Sequence, residues 1–210
     1  MFLITGIVGG VLSFGGTWLC ARRRPLPAER GGQLLPFLII ITIIGTACGC
    51  IFPFRADLWT IWIRLLWILA VLSVTAYTDF LSCTIPNRCV AVLLAGFPVC
   101  TALDCLAVGT FDWKLLLGGV IALVLTFMVL VLFRRLSHNG IGYGDIKLLS
   151  VLSAVLGVYG TIFVLFISQI AALLFVGLMI LMKRMDSGGH VPLGPFLLIG
   201  YLVTVYLGTF

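Results

Sequence analysis

Charge is what this sequence has least of. Seven acids and 13 lysines and arginines make up only 10% of its 210 residues, while 62% are hydrophobic. A water-soluble domain carries about 25% charged residues, which coat its surface. This chain has too few to do so, and most of its surface is expected to face lipid. A sizeable soluble domain is excluded on the same ground. Metal-site patterns are also missing. The seven cysteines include no C-x-x-C pair, and only His138 and His190 are available to supplement the thiols. A structural zinc site needs four converging ligands, so no metal and no cofactor is expected. A disulfide among Cys48, Cys50, Cys100 and Cys105 stays open at this stage. The N-terminus lacks the basic region that precedes the apolar core of a secretory signal. Its arginines, Arg22, Arg23 and Arg24, come afterwards, so residues 1–19 are expected to be a first span.

What is abundant is long apolar runs. A membrane helix needs about 20 such residues. Candidates lie at roughly 1–19, 36–54, 58–77, 88–108, 114–133 and 192–209. Between Lys147 and Lys183 there are 35 uncharged residues. As one helix they would reach about 52 Å, against a hydrocarbon core of about 30 Å. Gly157-Val158-Tyr159-Gly160 interrupts the run, which predicts two spans, at about 146–158 and 161–182. The fold expected is therefore all-α, a polytopic membrane bundle of about eight helices. It forms a single integral membrane domain over 1–210, with N-terminal spans over 1–78 and a core over 79–210.

The net charge of +6 does not mark a nucleic-acid binder, because the basic residues cluster in alternate loops. Arg22, Arg23, Arg24, Arg30, Arg88, Arg134, Arg135, Lys147, Lys183 and Arg184 fall on one side of the eight-span scheme. Arg55 and Lys114 fall on the other. Lys and Arg accumulate in cytoplasmic loops, so the first set is assigned to the cytoplasm and both termini to the outside. Arg64 and Asp104 lie inside spans, near the outer end, where they can pair or snorkel.

Two acids stand apart. Asp79 is expected to close the third span, and Ile85-Pro86-Asn87 follows it. Asp145 ends the run Gly140-Ile141-Gly142-Tyr143-Gly144-Asp145 and is expected to open a helix. Both fall at the cytoplasmic interface, where ionisable groups near membrane depth call for a function. Paired carboxylates suit peptide hydrolysis without a metal. Two close aspartates share a proton, so that one activates water and the other polarises the scissile carbonyl. A helix N-terminus favours an anion at Asp145 and a helix C-terminus disfavours one at Asp79. On that ground Asp79 is expected to hold the shared proton. Gly142 and Gly144 allow a sharp turn and close approach of a substrate strand. Lys147 either acts electrostatically on Asp145 or anchors a helix end, and Thr84 and Asn87 are expected to orient the proline-bearing loop beside Asp79, since short polar side chains hydrogen-bond turns.

These stretches resemble the type IV prepilin peptidase family, membrane aspartyl proteases of the Gly-x-Gly-Asp class. Asp79 with Ile85-Pro86-Asn87 is similar to the family's first aspartate and its Ile-Pro-Asn loop. Gly142-Tyr143-Gly144-Asp145-Ile146-Lys147 is similar to Gly-x-Gly-Asp-x-Lys. Val191-Pro192-Leu193-Gly194-Pro195-Phe196 is similar to a late Pro-Phe-Gly-Pro segment. The resemblance implies Asp79 and Asp145 as the catalytic pair, with Gly142, Gly144, Lys147, Pro86 and Asn87 supporting them or the substrate. It implies prepilin or pseudopilin substrates with a short basic leader, membrane lipid as the surroundings, and the bacterial inner membrane as the location. The departure is N-terminal. Many bifunctional members carry a zinc-binding insertion of paired C-x-x-C motifs between the first two spans and also methylate the new N-terminus. Here that loop, 20–35, is short and holds one cysteine, so N-methylation stays open. A rival from another class is a proton-coupled transporter that uses the aspartates as ion ligands. Such folds often carry internal repeats, and none is visible.

Overall fold

The structure is a computed structural model. It describes residues 59–109, 112–137, 140–182 and 192–208, together with positions 7, 8, 10, 11, 14–18, 39 and 43. Most of the first two expected spans, the 20–35 loop, Cys48, Cys50, His138 and His190 lie outside the described residues. Among the described residues six helices are delimited and there is no strand: α1 Trp59–Ser82, α2 Asn87–Val108, α3 Trp113–Leu136, α4 Tyr143–Leu156, α5 Val158–Leu181 and α6 Gly194–Leu207. Four of them, α1, α2, α3 and α5, are long and apolar enough to cross a membrane. The chain is thus a polytopic helical membrane protein.

The order of packing follows from which helices are apolar all round. In α4, Ile146 and every residue from Leu148 to Leu156 are buried, and the helix touches α2, α3 and α5. Its serines do not disturb this core, since their hydroxyls bond to nearby carbonyls. Ser150 donates to Ile146 at 2.7 Å, and Ser153 to Ser150 at 2.7 Å and to Ala122 of α3 at 3.1 Å. α1 presents Leu65, Ile68, Leu69, Leu72 and Ala76 inward, a stripe at helical spacing. It packs on α2 and α6, and α6 packs on α5. The hydroxyl of buried Tyr201 on α6 donates to the Leu65 carbonyl at 2.7 Å and ties α6 to α1. By contrast α3 fully buries only Ala122 and Leu130, packs Leu116, Leu123 and Val131 partly against the core, and leaves most of its other apolar side chains exposed, as a lipid-facing helix does.

The break in the long uncharged stretch falls where expected, at Gly157. Its φ of +87° and ψ of 160° lie in a region open only to glycine. An added Cβ would meet nothing within 4 Å. Gly157→Ala therefore isolates backbone strain from steric clash. It is expected to lower stability by about 1–3 kcal/mol, read as a lower thermal midpoint in detergent.

One boundary differs from expectation in a way that matters. α1 does not stop at 77 with Asp79 closing it; it runs on to Ser82. The amide of Cys83 still bonds to the Asp79 carbonyl at 2.8 Å, and Cys83 then turns into the left-handed region at φ 48°. The left-handed turn at Cys83 ends the helix, and Pro86 keeps Ile85 out of the helical region, so the chain restarts only at α2. Asp79 accordingly projects from within the helix, and a division of the chain at 78/79 cuts a single element.

Candidate active site

Asp79 and Asp145 line one cavity of about 530 Å³, with Cys83, Arg134, Gly142 and Gln169 among its walls. α4 and α6 both begin here. Each has 14 residues and is about 21 Å long, whereas α1, of 24 residues, is about 36 Å long. The carboxylates lie in the cavity where the two short helices begin.

Asp79 is buried, with 5% of its surface exposed. Its carboxylate Oδ2 accepts the backbone N–H of Gly194 at 2.6 Å, and the Leu193 amide also donates to it. Gly194 is the first residue of α6. A Cβ there would stand 2.9 Å from the Asp79 Cβ and 3.1 Å from the Ala76 Cα. Glycine is required for that approach.

Asp145 is the third residue of α4 and half-buried. It accepts the N–H of Gly142, the N-cap residue. This is the acid's half of a capping box, which satisfies a free N-terminal donor. The two carboxylates are close enough to interact electrostatically.

The expectation that Asp79 holds the shared proton rested on its place near the C-terminus of its own helix. The fold removes that ground. The Asp79 carboxylate reaches the N-terminus of α6, so both acids lie at the positive end of a helix dipole. What distinguishes them is burial and the number of amide donors.

The supporting residues named from sequence divide into two groups. Gly142 is in the cavity wall, and a Cβ on it would come within 2.9 Å of the Asp145 Oδ2. Gly144 faces away and packs on Ile85, where a Cβ would lie 3.1 Å from the Ile85 Cβ. Pro86 caps α2 and Asn87 begins it. Lys147 donates from Nζ to Asn87 Oδ1 at 3.4 Å, joining α4 to α2 outside the cavity. Its partner is thus an amide, not Asp145.

Arg134 and Gln169 also line the cavity, and Gly194 holds one of its acids from outside the lining, none of them expected from the sequence to be functional. From the sequence Arg134 is only one of the basic residues that set the topology. Gln169 lies on α5, where its amide interrupts an apolar stretch, a signal that was available. Gly194 belongs to a noticed motif, but nothing in its local sequence announces that it meets Asp79. At the far ends of the helices, Arg64 and Asp104 form an ion pair, as their shared level suggested. Cys100 and Cys105 are free thiols.

A helical membrane protein with two acids recessed at helix ends defines a class, and comparison with known proteins narrows it. The profile of the type IV leader peptidase family matches residues 65–177. The chain belongs to that family. It is 27% identical over 143 residues to a prepilin leader peptidase/N-methyltransferase of Bacillus subtilis, covering 67% of this chain and 54% of that one. Proteins of the same name from Xanthomonas campestris and Burkholderia pseudomallei are 32% identical over 94 residues and 37% identical over 95. Each match covers 44% of this chain, with 33% and 30% of the relatives. The matches thus span about half or less of those relatives' length. No solved structure matches the chain. Membership in a peptidase family gives no support to the transporter alternative.

Proposed function

We propose that this chain is a membrane aspartic endopeptidase that removes the short basic leader of prepilin-like proteins at the cytoplasmic face of the bacterial inner membrane. The observation that carries the reading is the shared cavity of Asp79 and Asp145, each carboxylate held by backbone amides at a helix N-terminus. In this mechanism one aspartate is ionised and takes a proton from water as the water attacks the scissile carbonyl. The other is protonated and donates to the carbonyl oxygen. Collapse of the tetrahedral intermediate returns a proton to the leaving amine. No metal takes part. An extended substrate segment enters past the glycine-rich turn, and its hydrophobic helix remains in lipid.

The test is direct. Membranes holding this chain are incubated with a prepilin, and leader loss is followed by mass. A product shortened at the leader junction is expected, and an intact prepilin after prolonged incubation would refute the reading. The proposal covers cleavage. Labelled S-adenosylmethionine in the same assay reads out N-methylation, against which the short 20–35 loop weighs.

A further inference from the structure

Two arginines end α3, and their surroundings differ. Arg135 is exposed, whereas Arg134 is half-buried and lines the cavity with both aspartates. The Arg134 Nη1 donates to the carbonyl of Ile141. Its guanidinium also lies over the ring of Tyr143, 3.8 Å from the centroid. The Nε is buried with no hydrogen-bond partner among the described residues. Ile141 and Tyr143 are the two neighbours of Gly142, and Gly142 is the residue whose N–H holds Asp145. One side chain therefore grips both flanks of the turn that carries the second aspartate.

That turn needs a constraint. Gly140, Gly142 and Gly144 supply backbone freedom, and freedom must be removed before a carboxylate can be held in register. An ordinary basic anchor at the cytoplasmic end of a helix would point to headgroups or to the last carbonyls of its own helix. Arg135 fits that description. Arg134 instead bonds seven residues onward and stacks on an aromatic face, two contacts that a planar guanidinium makes together and an ammonium does not.

We infer that Arg134 is a positioning residue, which clamps Ile141 and Tyr143 and so holds Asp145 opposite Asp79. The inference rests on the peptidase reading for its activity readout, but its mechanical part stands apart from it. Arg134→Ala, in the full chain reconstituted in lipid, is expected to lower kcat by about 10- to 100-fold with KM within about twofold, as small misplacements of a reacting group do. Arg134→Lys keeps the charge and should recover little. Guanidinium at tens of millimolar should restore part of the kcat of Arg134→Ala, while sodium chloride should not. Arg135→Ala should behave as wild type.

Amide exchange over 140–146 supplies the independent readout, and Arg134→Ala should exchange faster there. Wild-type kcat with unchanged exchange overturns the inference. So does lost activity without faster exchange, because the guanidinium would then be acting on substrate. If wild type cleaves no prepilin, the peptidase reading fails, and exchange alone still decides the clamp. Should Arg134→Ala not fold, Arg134→Lys and Tyr143→Leu carry the same two measurements.

Discussion

Asp79→Asn and Asp145→Asn are each expected to lower prepilin cleavage by about 10³-fold or more while leaving the bundle folded. General acid–base catalysis by a positioned group contributes about 10²–10⁴-fold, and in the proposed mechanism each acid serves both as a proton site and as its partner's counterpart. Asparagine matches aspartate in shape but neither ionises nor lends a proton. Its amide oxygen still accepts, so the Gly194 N–H at position 79 and the Gly142 N–H at position 145 keep a partner. Folding should therefore survive, checked by helical circular dichroism and thermal melting in detergent. In the proposed mechanism the pair acts as a unit, so the double variant should be little worse than either single one. Initial rates on a purified prepilin measure the effect. A single variant that keeps a tenth of wild-type activity would rule out the two-aspartate mechanism.

Gly194→Ala is expected to cost about 100-fold in cleavage rate without touching an acid. The added methyl would sit 2.9 Å from the Asp79 Cβ, with the backbone of Ala76 at 3.1 Å behind it. Neither neighbour is the free end of a flexible side chain, so α6 or Asp79 must move. Either movement lengthens the 2.6 Å bond from the Gly194 N–H to the carboxylate. A shift of about 1 Å in a reacting group costs about 10²-fold. Gly118→Ala on α3 is the matched control, since a Cβ there meets nothing within 4 Å and the substitution favours a helix. Activity of Gly194→Ala equal to that of Gly118→Ala would show that the start of α6 does not set the position of Asp79.

Much of the architecture was legible in the sequence because lipid imposes a simple rule. Every backbone group must be satisfied inside a helix, and so apolar length alone marks the elements. The apolar runs at 88–108 and 114–133 match α2 and α3 to within a few residues, and Gly157 separates α4 from α5 as anticipated. The end of α1 was misjudged because Asp79 looked like a terminator. A buried acid whose carboxylate finds amide donors on another helix need not end its own.

Composition and local stereochemistry suffice for the membrane class and the break at Gly157, and they single out Asp79 and Asp145, because none of these needs a partner across the bundle. How the acids are held depends on the packing of the helices. Asp79 meets the N-terminus of α6, 115 residues further along the chain, so its electrostatic setting is opposite to the one its own helix suggests. Lys147 turns to Asn87 rather than to Asp145, and Arg134 turns inward while Arg135 faces out. None of these follows from spacing, because a helix dipole and a guanidinium act through space, and contact across the bundle depends on how the helices pack.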